Sequence, residues 1–224
     1  MRRVALVLPP LLSSVLLAAG PTTGRAQSPD VVGVWFAGAR NSPFLTRAGI
    51  EHRDFYALAL RAGWTIGSFP GVTLRYTVDA LPIVVTTNNV NGFDVRSCGG
   101  QCYYAELRTG TVRGAGLSPI GLTGTIGPFA SVSIQLHASA GALWFTRAVP
   151  DPEALRFNFT ASGGGAVEIP VHAGYAALIG YMRHHTSNAG LGTVNPGLDS
   201  HMFYVGMTHR RERAAKQVAS RARP

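Results

Sequence analysis

The sequence predicts an all-β fold: an eight-stranded antiparallel transmembrane β-barrel of up-and-down topology. Three observations predict it. The 224 residues are 46% hydrophobic and only 14% charged, yet past the N-terminal segment no run approaches the roughly 18 apolar residues of a membrane-spanning helix. Apolar residues alternate with small or polar ones, the mark of strands with two unlike faces. Several alternating runs are longer than the about 5–6 residues usual in globular strands and suit a tilted membrane strand of about 9–11.

Taken in order, residues 1–26 read as a secretory signal. Arg2 and Arg3 form the charged start, Val4 to Ala19 the apolar stretch, and Gly24-Arg25-Ala26 the small-residue cleavage region. The barrel is expected over 27–209. A first, weaker strand fits 31–39. Residues 54–66 place Tyr56, Leu58, Leu60 and Trp64 on one face and Phe55, Ala57, Arg61 and Thr65 on the other. Residues 72–80 oppose Leu74, Tyr76 and Val78 to Arg75, Thr77 and Asp79. A further weak strand fits 117–126. In 131–146, Ile134, Leu136 and Trp144 oppose Gln135 and His137, and in 154–162, Phe157 and Phe159 oppose Asn158 and Thr160. A strand over 171–187 carries Tyr175, Ala177, Ile179 and Tyr181 on its apolar face, and 199–209 closes the set.

The small or polar face suits the interior of a narrow barrel, so the apolar face is expected to meet lipid. Short turns are expected at Ser68 to Gly71, Gly127-Pro128 and Ala166 to Pro170, and a long outer loop from Asn88 to Gly116. That loop holds Cys98 and Cys102, whose spacing in an exported chain suits a small disulfide. Two cysteines are too few for a structural zinc site, so no metal and no cofactor is expected. A soluble lipid carrier is the alternative architecture, and it requires the apolar faces to point inward.

The net charge of +9 does not describe a nucleic-acid face. Its excess sits near the N-terminus and in the basic tail 210–224, leaving the barrel region near neutrality. Membrane lipids are the expected surroundings. The patterning leaves a homodimer open.

One segment carries chemistry. On a strand, positions i and i+2 share a face, so His185 and Ser187 stand side by side at the end of the seventh strand. A hydroxyl becomes a nucleophile at neutral pH beside a base such as imidazole, and the imidazole needs an acceptor to fix its tautomer. Asp199 opens the eighth strand on the apolar parity, as do His185 and Ser187; His201 is a rival partner for its carboxylate. Arg183 lies on the same face and suits an anion of the substrate, or else snorkels toward headgroups. His184 faces the interior.

The run His185-Thr186-Ser187-Asn188-Ala189-Gly190, followed by Asn195-Pro196-Gly197 and Asp199, resembles the lipid A 3-O-deacylase (PagL-type) family. Gly116 to Leu122, 131–146 and 154–162 are also similar, so the resemblance covers the C-terminal half. It implies an outer-membrane esterase acting on an acyl chain of lipid A in lipopolysaccharide. Ser187 would be nucleophile, His185 base and Asp199 orienting acid, with oxyanion donors among Asn188, Gly190 and Asn195. The family's acid is typically Glu, and Asp199 departs from it by one methylene. That departure favours the competing reading, a non-catalytic structural or adhesive outer-membrane barrel.

Overall fold

The computed structural model describes residues 28–40, 53–99, 102–150, 152–195 and 197–211. The expected signal segment and most of the basic tail lie outside them. The described chain forms one closed antiparallel barrel of eight strands in sequence order, β1 to β8, with β8 pairing back onto β1. The strands are β1 (Val31–Ala39), β2 (Phe55–Phe69), β3 (Val72–Gly99), β4 (Cys102–Phe129), β5 (Val132–Phe145), β6 (Phe157–His172), β7 (Tyr175–Ser187) and β8 (Leu198–Arg210).

The two faces divide as the alternation requires. Leu60, Tyr76, Leu136, Trp144, Phe159, Ile179, Phe203 and Val205 are exposed on the outside, while Arg61, Arg75, Asp79, Gln135, His137 and His184 are buried within. Large apolar side chains in a continuous outward band, around a polar interior, are the pattern of a barrel solvated by lipid. The soluble-carrier alternative needs the opposite arrangement and is excluded by it.

The interior is filled by side chains, several of which pair with one another. Arg61 donates to both oxygens of Asp79, at 2.7 Å each. His184 Nδ1 lies 2.7 Å from Ser162 Oγ, with the Phe55 ring 5.0 Å from its own. Tyr204 spans to His137 across the lumen. A narrow barrel of this kind is a packed core and not a pore.

Three expectations are corrected. The stretch from Asn88 to Gly116 is not a loop. β3 and β4 run to 28 residues each and stay paired from Asn89↔Gly110 to Gly99↔Cys102. Alternation continues through this Asn- and Gly-rich segment: Phe93 and Val95 share one face, Asp94 and Arg96 the other. Ion pairs Arg96–Glu106 and Arg108–Asp94 cross between the strands, and irregularities at Thr86/Asn89 and Val90/Gly92 absorb the polar residues. Cys98 and Cys102 are disulfide-bonded at the tip, with Cα atoms 5.3 Å apart.

The second correction concerns the turn expected at Ala166 to Pro170. Those residues belong to β6, and the reversal falls at Ala173-Gly174, where Gly174 takes φ 77°. Pro170 is tolerated because the ladder breaks register between Pro170 and His172. The run 171–187 is therefore divided between β6 and β7. Similarly, Gly127-Pro128 lies within the irregular end of β4, and the chain reverses at Ala130-Ser131.

Candidate active site

β7 ends and β8 begins at the barrel end opposite the one where β1 starts. Across this pair His185 sits directly opposite Asp199, and Arg183 directly opposite His201. Directly opposed residues hold their Cβ atoms about 4.5–5.5 Å apart, and diagonal neighbours remain within reach of long side chains. Both relationships are used. His185 Nδ1 lies 3.1 Å from Asp199 Oδ1. Arg183, on the diagonal, donates from Nε at 3.3 Å and from a terminal nitrogen at 3.2 Å to the same oxygen.

Exposure separates the roles. The Asp199 side chain is 14% exposed, against 45% for His185 and 54% for Arg183. The acid lies beneath its two cationic or polar neighbours, and the imidazole edge is open to the outside. His201, the rival expected for Asp199, meets the Tyr181 hydroxyl through its Nδ1, and the two rings stack.

Ser187 is the last residue of β7, paired with Phe159 of β6 and half-buried. It shares the outward face with His185, but no hydrogen bond joins the two among the described residues. Catalytic hydrogen bonds are often long before substrate binds and tighten on the way to the transition state. Gly197 closes the site from the other side. It takes φ 64°, and a Cβ there would stand 3.3 Å from His185 Cε1. Glycine is thus required both by the backbone and by the approach of the ring.

The loop between the strands is built around Asn188, which is 1% exposed. Its side-chain amide donates to the Val194 carbonyl at 2.7 Å, and its Oδ1 accepts from Gly190 N–H at 3.0 Å. Its backbone N–H donates to Asn195 Oδ1 at 3.0 Å. Ala189 and Gly190 both turn left-handed, with φ 53° and 78°. Of the oxyanion donors expected from the sequence, Asn188 N–H, Asn188 amide and Gly190 N–H are therefore already engaged inside the loop. Asn195 is exposed, and its Oδ1 is anchored, which leaves its Nδ2 directed elsewhere. The Ala189 N–H meets no acceptor among the described residues.

The surroundings are apolar: Phe159, Tyr181 and Phe203 are exposed on the same side. No group of three or more potential metal ligands occurs among the described residues. Sequence reasoning placed His185, Ser187, Asp199 and Arg183 on one face but missed that Arg183 grips the acid. The signal was available: with His185 opposite Asp199, a residue two positions earlier is the diagonal neighbour. Which N–H groups between Asn188 and Gly190 stay unengaged depends on how Asn188 folds the loop, which the sequence leaves open.

The family model described as "Lipid A 3-O-deacylase (PagL)" matches residues 84–208, a span that holds the whole site. Among solved structures the chain is similar to one titled "Crystal structure of the outer membrane enzyme PagL", at 16% identity and a TM-score of 0.54, covering 78% of this chain and 97% of that one. At that identity the likeness is one of fold. The β domain of the Bordetella autotransporter BrkA aligns at 10% identity over 83% of this chain and 100% of its own, with a TM-score of 0.29, too low to bear on the argument. No curated protein matches the sequence at a significant level.

Proposed function

The chain belongs to the lipid A 3-O-deacylase (PagL) family of outer-membrane β-barrels, and on that premise we propose that it hydrolyses the 3-O-linked acyl ester of lipid A by a serine-esterase reaction. The observation that carries the mechanism is the contact of His185 Nδ1 with Asp199 Oδ1 on the lipid-facing wall, two residues from an outward serine. Asp199 accepts a hydrogen bond from Nδ1–H and so leaves Nε2 unprotonated to act as base.

Ser187 Oγ attacks the ester carbonyl carbon as its proton passes to His185 Nε2. The carbonyl oxygen becomes an oxyanion, for which Asn195 Nδ2 and the Ala189 N–H are the donors not consumed by the loop. The tetrahedral species collapses, the C–O bond to the sugar breaks, and His185 returns the proton to the sugar hydroxyl. Water then attacks the acyl-enzyme with His185 again as base. The fatty acid leaves and Ser187 regains its proton.

The site's position supports the same substrate. Its apolar rim of Phe159, Tyr181 and Phe203 lies in the lipid-facing band, where acyl chains are already the solvent. Arg183 keeps Asp199 aimed at His185, a role that suits a carboxylate one methylene shorter than Glu. The test is mass spectrometry of lipid A from cells making the protein. Loss of one acyl chain, located at the 3-position by fragmentation and absent with Ser187→Ala, is the expected result. Unchanged lipid A with a folded, outer-membrane-located wild type would leave the non-catalytic reading standing.

A further inference from the structure

Three arginines stand at the outer ends of consecutive strands, beside the proposed esterase site. Arg113 lies one step beyond the β4–β5 pair Gly114↔Phe145, and its carbonyl accepts from Thr146 N–H at 2.8 Å. Arg156 lies one step beyond the β5–β6 pair Trp144↔Phe157, and its carbonyl accepts from Phe145 N–H at 2.9 Å. Arg147 follows shortly after β5 ends at Phe145. All three are exposed. Just below them the Phe157 ring lies 6.2 Å from that of Trp144 and 5.1 Å from that of Phe159. Aromatic rings at the edge of an outward apolar band mark the membrane–water interface, so these arginines stand at the level of lipid headgroups.

No ion pair joins Arg113, Arg147 or Arg156 to a carboxylate among the described residues. Arg96, Arg108 and Arg183, at the same end of the barrel, each face one. Arg147 and Arg156 line one open cavity of about 390 Å³, whose wall also includes Asn91 and Leu155. Leu155 ties this cavity to the site. A Cβ on Gly192 would stand 3.1 Å from Leu155 Cγ and 3.1 Å from Asn188 Nδ2, so the loop built around Asn188 packs against the residue before Arg156. Arg156 is also close to Ser187 along the sheet. Phe159 pairs with Ser187, and the strand from Phe159 back to Arg156 covers roughly 10 Å.

From this arrangement we infer that Arg113, Arg147 and Arg156 hold a phosphate monoester of the lipid A headgroup whose acyl ester reaches Ser187. The inference rests on the esterase reading and adds to it the groups that seat the substrate. A guanidinium fork binds phosphate oxygens at two points, and two such forks share the wall of one open cavity. Three cations without carboxylate partners repel one another, and an anion from the headgroup layer relieves that repulsion. Lipid A carries its phosphates on the sugars that bear its acyl esters, so a phosphate at the arginines and an ester at Ser187 can belong to one molecule. The arginines are remote from the reacting atoms. Their contribution is to substrate binding and not to the chemical step.

The test uses the full mature chain folded in detergent. Ser187→Ala keeps bound lipid A intact, and native mass spectrometry then measures how much lipid each barrel retains. Diphosphorylated lipid A should bind on the order of tenfold more tightly than the same lipid stripped of phosphate. The triple variant Arg113→Gln/Arg147→Gln/Arg156→Gln should lose that preference. With Ser187 intact, the triple variant should raise KM by about tenfold with kcat little changed. Arg108→Gln removes an equal charge from the same end of the barrel and should leave both readouts unaltered. Should the triple variant not fold, Arg147→Gln/Arg156→Gln should show the same losses at smaller size. Equal binding of the two lipids, or a preference that survives in a folded variant, would overturn the inference. So would a lost preference with KM unchanged, which assigns the arginines to a neighbouring lipid. A wild type that deacylates nothing sinks the esterase reading instead, and the binding comparison alone then decides whether the arginines hold phosphate.

Discussion

His185 and Asp199 stand directly opposite one another on β7 and β8, and the ladder itself brings Nδ1 to 3.1 Å from Oδ1. The proposed base and its proposed orienting acid are thus placed by strand register instead of by loop conformation. Elements of a sheet hold geometry more tightly than loops do, and a displacement of about 1 Å can cost on the order of 100-fold in rate.

Ser187 and His185 should therefore behave as one unit. Ser187→Ala and His185→Ala are each expected to lower deacylation by on the order of 10⁴-fold or more, and the double variant to be little worse than either. A heat-modifiable gel shift shows that each remains a barrel. Two independent, multiplying losses would separate the residues mechanistically.

The architecture was legible because period-two alternation runs through most of the described strands. The arm beyond Thr86 was not. Its Asn and Gly residues carry turn signals, and only the cross-strand partners Glu106 and Arg108, far along the chain, reveal that it is paired. The parity of His185, Ser187 and Asp199 gave their common face correctly. It was silent on Asn188: whether an amide binds an oxyanion or staples its own loop is decided by where Val194 and Asn195 fold back, which no local spacing encodes.

Gly197 offers a probe that removes none of the proposed reacting groups. Gly197→Ala puts a methyl 3.3 Å from His185 Cε1 and a side chain at φ 64°. The backbone term alone costs about 1–2 kcal/mol; the contact adds displacement of the imidazole. Gly190→Ala shares the strain, at φ 78°, with nothing within 4 Å of the new atom. The expected outcome is that both lose similar stability while Gly197→Ala loses on the order of tenfold more activity. Equal activity losses would show that the ring has room to yield.

The interior pair sets stability, not turnover. Arg61 and Asp79 are 7% and 4% exposed and joined at two points. Asp79→Ala leaves a buried guanidinium uncompensated, which typically costs about 3–5 kcal/mol. The double variant Arg61→Met/Asp79→Leu should recover much of that. Urea unfolding of the barrel in detergent measures both, and activity per folded molecule should match the wild type throughout.

Arg183 provides the sharpest discrimination, because two chemical roles give opposite arithmetic. It shares Asp199 Oδ1 with His185. If it acts by aiming the acid, its removal does nothing further once the acid is gone. Arg183→Ala and Asp199→Ala should then each lower kcat by about 10- to 100-fold with KM little changed, and the double variant should resemble the single ones. If Arg183 instead holds an anionic group of the substrate, Arg183→Ala should raise KM, and its effect should multiply with that of Asp199→Ala. Asp199→Glu completes the set. A longer carboxylate reaches the imidazole with less help, so the penalty for Arg183→Ala should shrink in the Asp199→Glu background. A penalty that stays the same whether position 199 is Asp, Glu or Ala would remove Arg183 from the positioning role and return it to the substrate.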